Sequence, residues 1–306
     1  MEKKILLAVD DSIHSKNAVK YAARISSLAN NLSYTLFNVQ PTISQYILDD
    51  AKKDARVSAE LSKIKRKNAE EAQSVLEKYK TQMINLGIKE KHVDTVTRPK
   101  IEGRAKDVLE YGRKGLYDAI VVGRRGQSLF KEVFMDCTTC NLLEHARDTP
   151  VWVVDGDVTP SKILLAADGS ESSIRAVDHL SFIVGHNPDV RITLFHVVPD
   201  SISMGSYALD GFLEEFLVEK DRQKIKDFHD RVRGMFKKAG IPEDRIEIKE
   251  VQRTGNAGKA ILEEAETGDY GTVVVGRRGD NRSFFMGSVS KYVLNRAEGR
   301  ALWVVS

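Results

Sequence analysis

Apolar residues along this chain fall into short, nearly continuous runs separated by longer stretches in which they recur every three or four positions. Ile5–Val9, Thr35–Val39, Ala119–Val122 and Val151–Val154 are the clearest runs, rich in Val, Ile and Leu. Runs this short and this apolar predict strands buried on both faces. Between them the spacing becomes helical. Ala18, Val19, Ala22 and Ile25 share one helix face, and Ser12 stands where an N-cap would. The charged segment Ala55–Leu86 predicts a long helix stopped by Gly87. A third helix is expected near Arg104–Arg113, ahead of the Ala119 strand.

The whole pattern then occurs a second time. Ile5-Leu6-Leu7-Ala8-Val9-Asp10-Asp11-Ser12 returns as Ile163-Leu164-Leu165-Ala166-Ala167-Asp168-Gly169-Ser170, and Thr35-Leu36-Phe37-Asn38-Val39 as Thr193-Leu194-Phe195-His196-Val197. Val121-Val122-Gly123-Arg124-Arg125-Gly126 returns as Val274-Val275-Gly276-Arg277-Arg278-Gly279, and Val151-Trp152-Val153-Val154 as Leu302-Trp303-Val304-Val305. Blocks repeated in one order mark an internal duplication. The long helical stretch of the second half is Leu213–Lys238, ending at Gly240. Asp155–Pro160 is a short polar turn between the copies, which sets the expected domains at 1–157 and 158–306. Strands alternating with helices imply parallel pairing through right-handed crossovers. The expected fold is therefore a doubly wound α/β sandwich, formed twice.

Composition narrows the function classes. A length of 306 residues suits two domains. A net charge of +3 argues against a nucleic-acid partner. No apolar run approaches the roughly 18 residues of a membrane helix, and the run after Met1-Glu2-Lys3-Lys4 is too short for a signal-peptide core. Two cysteines make no disulfide framework. The cytoplasm is the expected compartment, with no membrane partner.

Ligands of doubly wound sheets bind outside the carboxyl ends of the strands. The residues leaving those ends are Asp10 and Asp168, Val39 and Val197, and the turns Gly123–Gly126 and Gly276–Gly279. In the second half Gly287-Ser288 opens a helical run through Val289, Val293 and Leu294. Close-approaching glycine backbone, a helix N-terminus and the Ser288 hydroxyl together form a phosphate cradle. The plainer reading is a glycine bend with a serine N-cap. The pairs Arg124-Arg125 and Arg277-Arg278 are expected to be solvated loop charges. Cys137 and Cys140 are spaced C-x-x-C, but Asp136 beside them opposes thiolate formation, and two thiols supply half of a zinc site. They read as small, partly buried thiols. There is no P-loop, no G-x-G-x-x-G after a strand, no H-E-x-x-H and no nucleophile elbow. His196, beside a buried strand end, reads as structural.

The order Ile-Leu-Leu-Ala-Ala-Asp-Gly-Ser, then Phe-His-Val, then Val-Val-Gly-x-x-Gly, Gly-Ser and a closing Trp-Val-Val resembles the universal stress protein family, over essentially the whole chain. The resemblance implies two tandem, mostly parallel five-stranded sheets with helices on both faces, of the adenine nucleotide alpha hydrolase type. It also implies ATP, with Mg accompanying it. Asp168 and Val197 would contact adenine, while Gly276, Gly279, Gly287 and Ser288 would wrap the ribose and phosphates. Asp10, Val39, Gly123 and Gly126 are the matching set in the first half. The closing strands Val151–Val154 and Leu302–Val305 would run against each other, making an intramolecular pseudo-dimer, and a homodimer is compatible with this.

The family's ATP-binding pattern has nine residues between the second glycine and Gly-Ser. The second half has seven there, and the first half has nine but then reads Asp136-Cys137. A triphosphate is therefore expected to sit better in the second half. The expected function is stress response or regulation, with ATP as ligand. The alternatives are an adaptor working through protein contacts, and a slow ATPase or phosphotransferase.

Overall fold

The computed structural model describes the chain except residues 1, 125–141, 144, 147, 200–210, 254 and 278–285. It divides into two compact units. Unit 1 comprises Met1–Ala23 and Asn31–Asp155, and unit 2 comprises Arg24–Asn30 and Gly156–Ser306. Each is an α/β structure of parallel strands flanked by helices.

The strands of unit 1 are β1 (Lys3–Ala8), β2 (Leu32–Val39), β3 (Val93–Arg98), β4 (Ala119–Gly123) and β5 (Val151–Val154). They lie in the order β3-β2-β1-β4-β5, each pair parallel. The chain winds outward from β1 to β3 and then crosses back to β4. The order thus reverses between β1 and β4, where ligands of such sheets bind. Ile5, Leu6 and Leu7 are fully buried, so both faces of β1 are covered. Each such side chain contributes roughly 1.5–3 kcal/mol.

The helices are α1 (Ile13–Ile25), α2 (Gln45–Asp50), α3 (Ala55–Asn85) and α4 (Arg104–Lys114). Ser12 starts α1 as expected: its Oγ accepts the Ser15 N–H at 3.2 Å, and Ala18, Val19, Ala22 and Ile25 are buried. Asp54 caps α3 by accepting the Arg56 N–H. Leu61, Ala72, Leu76, Tyr79 and Met83 form its buried stripe, and Gly87 takes a φ of 95° just beyond its end.

Unit 2 repeats the plan with β6 (Lys162–Ala167), β7 (Arg191–Pro199), β8 (Ile246–Arg253), β9 (Thr272–Gly276) and β10 (Ala301–Val305), in the order β8-β7-β6-β9-β10, again all parallel. Its helices are α5 (Glu171–Val184), α6 (Gly211–Lys238), α7 (Ala257–Thr267) and α8 (Ser288–Arg296). Gly240, with φ at 68°, ends α6 as Gly87 ends α3. Among the described residues, no helix is long and apolar enough to cross a membrane.

Candidate functional site

Strand register decides which of the candidate residues meet. In unit 2, Ala167 of β6 is level with His196 of β7, and Ala166 is level with Val275 of β9. One step further, Asp168 comes level with Val197, and Ala167 with Gly276. Neighbouring strands lie about 4.8 Å apart, so these residues sit side by side at the carboxyl ends. Gly287 joins them, because its N–H donates to the Arg277 carbonyl at 2.8 Å and ties the start of α8 to the end of β9. Ser288 is the exposed first residue of α8. Gly279 lies outside the described residues.

Unit 1 shows the same register. Ala8 is level with Phe37 and with Val122, which puts Asp10 level with Val39 and Val9 level with Gly123. Gly126, Asp136, Cys137 and Cys140 lie outside the described residues.

Both aspartates are oriented by their own loops. The Asp168 N–H donates to Ser173 Oγ at 3.0 Å, and that hydroxyl donates back to Asp168 Oδ1 at 2.6 Å. The Ser170 N–H reaches the same oxygen at 3.0 Å. In unit 1 the Asp10 N–H donates to Ser15 Oγ at 2.9 Å, which returns a bond to Oδ1 at 2.7 Å, and the Ser12 hydroxyl joins it. Bonds to an ionised acceptor are the strong ones. Ser15 and Ser173 were not picked out from the sequence, although Asp-x-Ser-x-x-Ser occurs in both halves and would have flagged them. Among the described residues, none donates to Oδ2 of Asp168.

The strand-end glycines have a packing reason. A Cβ on Gly123 would lie 2.4 Å from the backbone carbonyl of His14, and one on Gly276 would lie 2.9 Å from backbone atoms of Ser172. Glycine thus lets the first turn of α1 or α5 close over the end of β4 or β9. The start of α8 is different. Ser170 and Asn256 cap α5 and α7 through their side chains, whereas Gly287 gives α8 no side-chain cap. First-turn N–H groups without such a cap remain available as donors.

Arg277 departs from expectation. It is 2% exposed rather than a solvated loop charge, whereas Arg124 is half-buried. Its backbone is held as well: the N–H donates to Val305, and the carbonyl accepts from Gly287 N–H and from Ser290 Oγ, both at 2.8 Å. Arg125 and Arg278 lie outside the described residues.

Two further groups border the carboxyl ends. In unit 1 the Tyr79 hydroxyl reaches from α3 to the carbonyls of Asp10 and Ser12, each at 3.1 Å. Burial, then the charges of Asp11 and Asp10, push its pKa up to about 12. In unit 2 His196 is buried, and burial foremost, then His229, holds its pKa below the ordinary imidazole value. Among the described residues, no three His, Cys, Asp or Glu side chains gather in a way that could hold a metal ion.

A sequence model described as the universal stress protein family matches the chain twice, over residues 1–155 and 160–304. A universal stress protein of Mycolicibacterium smegmatis is 27% identical over 303 residues, spanning 96% of this chain and 94% of its own. Among solved structures, a universal stress protein from Archaeoglobus fulgidus aligns with 99% of this chain and 98% of its own, with a TM-score of 0.64 at 20% identity.

Proposed function

We propose that this chain, which belongs to the universal stress protein family as two domains in tandem, is a regulatory stress-response protein that holds ATP at the carboxyl ends of the unit 2 strands. The observation that carries this reading is the meeting of Asp168 and Val197 at one level, with Gly276 one residue earlier on the neighbouring strand and the start of α8 tied beside it. Oδ1 of Asp168 is taken up by its own loop, which leaves Oδ2 as an acceptor for a donor on the nucleoside, an adenine amine or a ribose hydroxyl. The phosphates face the α8 start, where N–H groups without a side-chain cap, the helix dipole and the Ser288 hydroxyl favour an anion. Mg accompanying the nucleotide would take phosphate and water oxygens as ligands. In the same reading each half, 1–157 and 158–306, is a doubly wound five-stranded domain.

Calorimetry on the full chain tests the site. Gly287→Asp gives the second half the residue that the first half carries at that place, Asp136. It sets a carboxylate beside the phosphates and removes a charge-assisted contact worth roughly 1.5–3 kcal/mol. ATP binding is expected to weaken more than tenfold. Unchanged affinity removes Gly287 from the site.

One observation favours a second reading, an adaptor that works through protein contacts. Ile13, Tyr46 and Ile101, which follow β1, β2 and β3, are 60%, 75% and 80% exposed. Each stands on a segment that leaves the carboxyl end of a strand, where a partner protein would meet it. Denaturing freshly purified protein and chromatographing the released small molecules separates the readings: adenine nucleotide supports the first, and its absence together with no calorimetric heat from ATP supports the adaptor.

A further inference from the structure

Unit 2 contains a pair of buried histidines that the nucleotide reading does not use. His196 sits in β7, level with Ala167 on one side and Glu250 of β8 on the other, and is 6% exposed. Helix α6 lays Phe228 and His229 over it. The two imidazole centroids are 5.9 Å apart at 85°, and the Phe228 ring lies 6.3 Å from His196. His229 is 8% exposed. Its Nδ1 lies 3.4 Å from Glu250 Oε1, while Nε2 of His229 and Nδ1 of His196 have no hydrogen-bond partner among the described residues. Buried polar atoms are nearly always satisfied, so two orphaned ring nitrogens in one contact are a built-in weakness.

We propose that unit 2 is an acid-responsive element, in which proton uptake by the His196–His229 pair loosens α6 from the carboxyl end of β7. The orphaned nitrogens are where protons would add, and a cation formed there would be enclosed by aromatic rings rather than water. The groups facing His196 are Asp168 beyond β6, Glu250 of β8 and His229 of α6. Those facing His229 are Glu250 and, on its own helix, Asp230 and Arg233. The carboxylates favour protonation, yet burial is the largest influence on both rings and holds both pKa values below 6.5. Each ring also opposes charging of the other, so the pair titrates as a unit.

The sign follows from linkage. Each folded pKa is below its unfolded value of 6.5, so the opened state binds more protons. The pair costs nothing above that pH. Below it, opening becomes up to about tenfold more favourable per pH unit for each histidine, until the folded pKa is reached. Unit 1 lacks this chemistry. Asn38 stands where His196 does and donates to the Val9 carbonyl at 2.7 Å. Leu76, fully buried, precedes Gly87 by the same interval as His229 precedes Gly240.

Hydrogen exchange on the nucleotide-free full chain, from about pH 7.5 to about pH 5 and corrected for the intrinsic pH dependence of exchange, tests the proposal independently of ATP binding. Protection of 211–238 is expected to fall with acid by up to about a hundredfold per pH unit, while that of 55–85 falls much less. The double variant His196→Asn, His229→Leu borrows the residues of unit 1 and should lose the acid response of 211–238. Equal acid responses in the two helices, or a double variant that keeps the response, would overturn the proposal. If the double variant fails to fold, His196→Asn alone and NMR titration of the wild-type imidazole protons decide the matter: pKa values below 6.5 support it, and values at or above 6.5 refute it.

Discussion

At the end of β1, unit 1 closes its loop with hydrogen bonds that do not titrate near neutrality. Tyr79 reaches the carbonyls of Asp10 and Ser12, and Asn38 donates to Val9. At the end of β6, unit 2 has His196 in the asparagine's place and buried Val232 in the tyrosine's, eight residues before Gly240 as Tyr79 is before Gly87. The next layer differs in the same way. Nine residues after Ser12 comes buried Tyr21, while nine after Ser170 comes His179, edge-on to Trp303 at 5.7 Å and held by burial at a pKa of about 3. What the units share is the Asp-x-Ser-x-x-Ser loop and the glycine that admits the first helix turn. The shared parts therefore position a carboxylate at the strand ends. The parts that differ decide how firmly each end is closed and over what pH range.

The largest expected effect that sharpens this comparison is Gly123→Ala. Its Cβ would meet the His14 backbone at 2.4 Å, and backbone on both sides cannot yield cheaply, so a loss of about 3 kcal/mol is expected. Gly276→Ala, at 2.9 Å, should cost about half as much. Denaturant melts of the two variants check this, and equal losses would show that the two closures are equally tight.

A smaller effect is expected from Tyr79→Phe, about 1 kcal/mol at neutral pH. The Tyr79 phenol is held at about 12, above its ordinary value of 10. The stability it lends is therefore full below pH 10 and lost as pH rises towards 12. Melts of the variant should show a flatter alkaline limb than wild type. An unchanged limb would remove Tyr79 from the account of why unit 1 is firmly closed.

Much of this was legible in the sequence. The repeat, β1, β2, β4, β5, the long helices and their stopping glycines followed from spacing alone, because each is set by residues close in the chain. The strands β3 and β8 stood out less. Val93–Arg98 has only two apolar residues, of which Val93 alone is fully buried, while Ile246–Arg253 opens by alternating isoleucine with charge, as strands at the end of a sheet do. Helix α2 buries no residue at all, so it has no apolar stripe to reveal it. At the site, Asp168, Val197 and Gly276 could be named because each leaves a recognisable strand. The burial of Arg277 could not, since the residues that meet it, among them Val305, Gly287 and Ser290, come from elsewhere in the chain. The meeting of His196 with His229 was hidden for the same reason: the contact is made by α6, far along the chain.

Unit 2, rather than unit 1, is the proposed holder of the triphosphate. Gly287-Ser288 offers N–H donors and a hydroxyl at the place where the first half carries Asp136-Cys137, a carboxylate and a weak donor. Like charge near a phosphate costs about 1 kcal/mol in water and several in a drier cleft. The competing influence is loop length, seven residues after Gly279 against nine after Gly126. Charge is expected to win, because a loop can shift while a carboxylate keeps its sign at neutral pH. The direct measurement is site-by-site occupancy in crystals soaked with ATP. ATP is expected beside Asp168, Gly276 and Gly287, with the site beside Asp10 and Gly123 empty or holding less. ATP beside Asp10 and Gly123 with the unit 2 site empty would contradict it.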